Sequence, residues 1–194
     1  VASSAFEWSG SSAVLVPVKA FHRAKVRLAP ALSPERRKEL AREMATQVVR
    51  SASGLPVAVV CDDEAVADWA SSLGALVLWE PGRGLNRAVQ EGVRQLAEIG
   101  VDAVVVAAGD LPLASDLRWV AGFPGITLVP DRHHDGTNVI GLPVATPFVF
   151  SYGPGSFGRH LEQARSLRCA LRVVHSSSLA WDVDVPEDLV GLTK

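Results

Sequence analysis

The stretch Val104–Leu113, VVVAAGDLPL, decides how this chain is read. Three valines and two alanines run without a polar break, and Gly109 and Asp110 follow. A short apolar run without alternation is the pattern of a strand buried on both faces, as in a parallel sheet. Pro112 ends it, because proline cannot donate to a ladder and restricts Leu111 before it. A carboxylate therefore stands just past the carboxyl end of a central strand, where open α/β sheets bind ligands. Gly109 lets a backbone or a phosphate come close. Asp110 is then either a turn residue capping the next helix or a carboxylate at the ligand edge.

Upstream, Ala13–Val18 reads as a first strand, with Pro17 marking an edge position or an early end. Lys19, Arg23, Lys25 and Arg27 follow without periodicity, in a loop that either handles anions or is simply solvated. Ser33-Pro34-Glu35 starts a helix, with Ser as cap and Pro at the first helical position. That helix runs to about Ser51 and turns Leu40, Met44, Val48 and Val49 inward. Val57–Cys61 is a second strand. Asp63 caps a helix over Glu64–Leu73, and the role of Asp62 stays open. Ala75–Trp79 is a third strand. Gly82 and Gly84 then precede a helix through Ile99. Arg87 occupies the third glycine position of a dinucleotide fingerprint, and the pair follows the third strand, so that motif is weak. A glycine turn at a helix N-terminus can still hold a phosphate or only cap the helix, and Asn86 can offer its amide to a base.

Downstream come a short helix over 116–120, a strand over Ile126–Val129 and a polar loop over 130–138. His133 and His134 in that loop lack a third spaced metal ligand. Strand character returns over 138–142. Gly153-Pro154-Gly155-Ser156 opens a helix from Phe157 to Leu167, where amides and a hydroxyl form an anion cradle or a simple cap. Leu171–Val174 is a late strand. Asp182 and Asp184 share a face if the chain is extended. Both can then reach one metal, or one of them caps the helix that Pro186 opens.

Strands alternate with helices throughout. The fold class is α/β, a single-domain three-layer sandwich with a mostly parallel sheet. Residues 1–12 read as an N-terminal tail and 13–194 as the domain. The net charge of −2 attracts neither nucleic acid nor an anionic membrane. No apolar run is long enough to span a bilayer, and the first dozen residues lack the pattern of a signal peptide. Cys61 and Cys169 have no metal or disulfide spacing, which fits a reducing cytoplasm. Fifteen arginines against four lysines favour bidentate phosphate contacts, although GC-rich coding produces the same skew. Walker A and G-x-S-x-G sequences are absent, which argues against a P-loop NTPase and an α/β-hydrolase. The oligomeric state is not legible, and a homodimer stays open.

The phrases VPVK at 16–19, RAKVRLAPALSPERR at 23–37, GLNRAV at 84–89, GDLPL at 109–113, PDRHHDGTNVIGL at 130–142, GPGSFGRH at 153–160 and DVDVPEDL at 182–189 resemble one family in order. It is the guanylyltransferase family of coenzyme F-420 biosynthesis, which comprises the phosphoenolpyruvate and 2-phospho-L-lactate guanylyltransferases. The resemblance covers nearly the whole chain after the tail. It implies a nucleotide-diphospho-sugar transferase-like fold, and transfer of GMP from GTP to a small phosphorylated three-carbon acid with release of pyrophosphate. It implies Mg²⁺ on Asp110 with Asp182 or Asp184. It also implies Lys19, Lys25 and Arg27 on the triphosphate, Asn86 near the nucleoside, and Thr137, Gly153 and Ser156 on the phosphorylated acid. One position departs from the pattern: Val185 stands where the family ending has Thr, which removes a hydroxyl near the metal.

Overall fold

Alternate residues of a strand face opposite sides of its sheet, and here each side meets its own layer of helices. The computed structural model describes Trp8, residues 11–82 and residues 84–192. In chain order the elements are β1 (Ser11–Pro17), α1 (Pro34–Arg50), β2 (Val57–Cys61), α2 (Glu64–Ser72), β3 (Leu76–Trp79), α3 (Gly84–Glu98) and β4 (Val101–Ala107). Then come α4 (Arg118–Ala121), β5 (Ile126–Pro130), β6 (Thr137–Pro143), α5 (Ser156–Ser166) and β7 (Leu171–Val173). On one face Val14, Val16, Val59 and Val105 pack with Ala45 and Val48 of α1 and Trp69 of α2. On the other, Leu15, Val60, Val104 and Ile140 pack with Val89, Val93 and Leu96 of α3 and Ala164 of α5. Each fully buried Val or Leu contributes roughly 1.5–3 kcal/mol, so a one-residue slip of any central strand would exchange the two faces and is strongly disfavoured.

The sheet order is β3-β2-β1-β4-β6-β5-β7. Only β6 runs against its neighbours β4 and β5, so the sheet is mostly parallel. The reversal follows from chain length. Six residues separate β5 from β6, enough for a hairpin but too few for a parallel crossover. The chain lays β2 and β3 on one side of β1 and then returns to place β4 on the other. That creates a topological switch point at the carboxyl ends of β1 and β4. The reversed β6 brings its first residue, Thr137, to the same edge.

Pro17 ends β1 early, but β1 is central, between β2 and β4. The edge alternative is thereby corrected: proline is tolerated because it is the last residue of the strand. A Cβ on Gly109 would lie 3.2 Å from the Pro17 carbonyl oxygen, so the close approach that Gly109 permits is to the end of β1. The Ser33 hydroxyl accepts from Arg36 N at 3.2 Å and Asp63 Oδ1 from Val66 N at 3.1 Å, as caps should. Of the N-terminal tail, residues 1–7, 9 and 10 lie outside the described residues. Ser11 and Ser12 already pair with β4 across an irregular register, so β1 starts earlier than its apolar run. No helix of the described residues is long and apolar enough to cross a membrane.

Candidate active site

The turn after β1 carries a lysine into the switch-point crevice. Lys25 has φ +56, a left-handed conformation that costs a non-glycine residue roughly 1 kcal/mol or more. Its ammonium donates to Asp110 Oδ2 at 2.6 Å and to Asp184 Oδ1 at 3.0 Å. Arg27 lies 4.0 Å from the other oxygen of Asp184. The Lys25 side chain is only 9% exposed. Burial pulls its pKa down, but the charges of Asp110 and Asp184 more than offset this and hold it above the usual lysine range. Asp182 completes the group. Burial, and then the charge of Asp110, push its carboxyl up, and hydrogen bonding, including that from the Asn138 amide, relieves it only in part. The three acids thus stand together on one edge, as their sequence positions suggested. Lys19 is exposed at the end of β1 and joins no ion pair among the described residues.

The segment bearing Asp182 and Asp184 is fastened by a residue that spacing did not single out. Asp188 is 3% exposed. Its Oδ2 accepts from the backbone N–H of Asp184 at 2.6 Å and of Val185 at 2.8 Å, and its Oδ1 takes the Arg132 guanidinium. Arg132 also donates to the Asp182 carbonyl at 2.8 Å and lies over the Trp181 ring. The idea that Asp182 or Asp184 caps the last helix is therefore corrected. Asp188, an acid in the first turn of the 3-10 segment Pro186–Leu192, reaches back to the free amides. That first-turn position was the available signal.

A cleft of about 340 Å³ lies between this segment and the β5–β6 loop, with Asp131, Asp135, Asp182, Asp184 and Val185 on its walls. Asp131 shapes the loop by accepting from the amides of His133, Asp135 and Gly136. His134 packs against His175, with ring centroids 4.7 Å apart. Among the described residues no three His, Cys, Asp or Glu side chains are set to grip one ion. At the acids the Lys25 ammonium already stands between Asp110 and Asp184.

Beside the β5–β6 loop the start of β6 meets the start of α5. The backbone N–H of Thr137 donates to Ser156 Oγ at 3.1 Å, and that of Ser156 to the Gly153 carbonyl at 3.0 Å. Thr137, Gly153 and Ser156 are thus joined into one turn, which Gly153 and Gly155 enter at φ +119 and +70. The Gly155 amide is engaged by the Asp135 carboxylate at 3.1 Å, so the helix start holds an internal carboxylate. His160, one helical turn on, contacts Thr137 Oγ1 through Nδ1 at 3.0 Å and accepts from Ser151 N at Nε2, 2.9 Å away. Its place on the buried face at i+4 from Ser156 was the sequence signal for it. Asn86 holds the Tyr152 backbone, accepting its N–H at 2.7 Å and donating to its carbonyl at 3.4 Å. This ties the α3 glycine turn to the α5 turn.

A family model described as guanylyl transferase, CofC like, matches residues 12–193. The phosphoenolpyruvate guanylyltransferase of Rubrobacter xylanophilus is 40% identical over 187 residues, covering 92% of this chain and 91% of that protein. The 2-phospho-L-lactate guanylyltransferase of Methanocaldococcus jannaschii is 28% identical, covering 91% and 80%. Among solved structures, one from Desulfovibrio desulfuricans G20 described as a nucleotide-diphospho-sugar transferase superposes with a TM-score of 0.77 at 16% identity, covering 94% of this chain and 86% of that one. At that identity the likeness shows the fold alone. The sequence relatives and the family model go further, and on their showing this chain belongs to the CofC-like guanylyl transferase family.

Proposed function

We propose that the protein transfers GMP from GTP to phosphoenolpyruvate, with release of pyrophosphate, as a cytoplasmic step of coenzyme F-420 biosynthesis. The observation that carries this reading is the presence, at one sheet edge, of two carboxylates joined by a lysine ammonium with a third beside them, and of a buried two-hydroxyl turn. The first suits a cation-assisted polyphosphate and the second a small anion. The relative at 40% identity bears the phosphoenolpyruvate name and the one at 28% the 2-phospho-L-lactate name, which supports phosphoenolpyruvate as the acid.

In this reading a phosphate oxygen of the acid attacks the α-phosphorus of GTP in line, and the bond to the departing pyrophosphate breaks. The attacking oxygen is already ionised, so no general base is required. Lys19, Lys25 and Arg27 offset the charge of the triphosphate. Thr137 and Ser156 orient the acid on the turn shaped by Gly153, and Asn86 holds the neighbouring turn where the nucleoside sits. Mg²⁺ on Asp110 with Asp182 or Asp184 would supply charge neutralisation at the phosphates. The donors fit that ion: they are hard oxygens, and Mg²⁺ commonly takes one or two carboxylates with waters and substrate phosphates rather than an all-protein cage. Pyrophosphate release from GTP and Mg²⁺ with phosphoenolpyruvate, 2-phospho-L-lactate or 3-phosphoglycerate, followed by product mass, tests the reading. Release is expected with phosphoenolpyruvate and none with GTP alone. GTP binding without release from any acid would leave a nucleotide-binding module instead.

A further inference from the structure

We propose that His160 is a positioning residue for the acid substrate: its ring fixes the Thr137 hydroxyl so that the hydroxyl hydrogen is directed to the bound anion. This rests on the reading that Thr137 holds the phosphorylated acid. A neutral imidazole has one N–H and one lone pair. The Ser151 N–H points at Nε2 from 2.9 Å, so the lone pair is there. The ring proton is then on Nδ1, and at 3.0 Å the ring donates to Thr137 Oγ1. A hydroxyl that receives a hydrogen bond in this way still has its own hydrogen to give. Ser156 is set the same way, because its Oγ receives the Thr137 N–H. Among the described residues neither hydroxyl hydrogen goes to a protein acceptor. Thr137 and Ser156 are 5% and 1% exposed, so two buried O–H groups on adjoining elements are both turned into donors, which is what an anionic oxygen requires.

The ring is kept uncharged for this task. Burial, with the nearby Arg159 cation, lowers its pKa to about 4. The rings of Phe148 and Tyr152 flank it at 5.5 and 5.2 Å. A charged imidazolium would have no lone pair for Ser151. The arrangement therefore holds together only with the Nδ1–H tautomer, which is a property of the intact protein open to direct measurement.

Two substitutions separate the two bonds of the ring. In His160→Asn the amide takes the place of Nδ1 and can still donate to Thr137. In His160→Gln it takes the place of Nε2 and reaches only Ser151. With phosphoenolpyruvate, GTP and Mg²⁺, His160→Gln is expected to raise the KM for the acid about tenfold, as is Thr137→Val. The KM for GTP should be unchanged and His160→Asn should stay within about twofold of wild type. The double variant His160→Gln/Thr137→Val should be no worse than Thr137→Val alone. Additive effects, or a silent His160→Gln beside an impaired Thr137→Val, overturn the positioning role and leave the acid site standing. A silent Thr137→Val overturns both. If the Gln variant does not fold, ¹⁵N resonances of the ring in wild-type protein at neutral pH decide: the proton on Nδ1 supports the proposal and the proton on Nε2 defeats it.

Discussion

The two walls of the ligand edge prepare for anions by opposite means. At the strand ends the means is charge: Lys25, Asp110, Asp182 and Asp184, with Asp184 and Arg27 side chains 51% and 76% exposed. At the α5 turn the groups are neutral, buried and directional: Thr137, Ser156 and His160 are 5%, 1% and 0% exposed. Coulomb attraction is strong but unselective, and salt screens it where the groups are exposed. Buried hydrogen bonds tell a donor from an acceptor, because an unpaired partner is costly. A highly charged triphosphate suits the first wall, and a small acid that must be distinguished from its relatives suits the second.

This contrast can be broken most directly at Asp110. Asp110→Ala should lower turnover about a thousandfold or more, equivalent to roughly 4 kcal/mol of transition-state stabilisation. The variant should unfold thermally close to wild type, since Asp110 is partly exposed. Near-normal pyrophosphate release would remove the charged wall from the chemistry. Asp188→Ala sharpens the comparison from behind that wall. It leaves two amides unpaired and takes from Arg132 its buried carboxylate partner, and urea unfolding should show a loss of about 2–3 kcal/mol. A loss below about 1 kcal/mol would mean that the closing segment is held by something other than Asp188. The neutral wall has its own signature in pH. The folded His160 ring takes a proton only near pH 4 and the unfolded ring near 6.5, so between these values the unfolded chain binds more protons. The ring's contribution is therefore complete above about pH 6.5 and fades as the pH falls toward 4, on the order of 3 kcal/mol in all. His160→Phe should flatten that part of the stability profile in acid-dependent urea titrations. An unchanged slope would show that the ring is not held neutral.

Much of this was legible in the residues because it rests on local chemistry. The apolar runs at 57–61 and 104–108, the caps Ser33 and Asp63, and the glycine turns before α3 and α5 are short-range signals that stay valid wherever the segment is placed. Asp110, Asp182 and Asp184 could be singled out as candidates, since each follows a recognisable strand end or alternation. The roles of Asp188, Arg132, Asp131 and Asp135 were not legible. Each acts on backbone amides or a partner that only the folded chain brings near, as with Arg132 and Asp188 across 56 positions. His160 stood inside a quoted motif, yet nothing local assigns the direction of its hydrogen bonds.

The sequence by itself determined the alternation of strands and helices, the faces that are buried and the set of charged residues placed after strands. Periodicity and turn chemistry act over a few residues, so they survive without knowledge of the fold. The tertiary structure decided that β1 is central despite Pro17, that β6 runs backward and delivers Thr137 to the ligand edge, and that Lys25 lies between two acids 85 and 159 positions away. Those outcomes depend on which strand pairs with which. That choice is settled by the joint burial of both sheet faces rather than by any one segment.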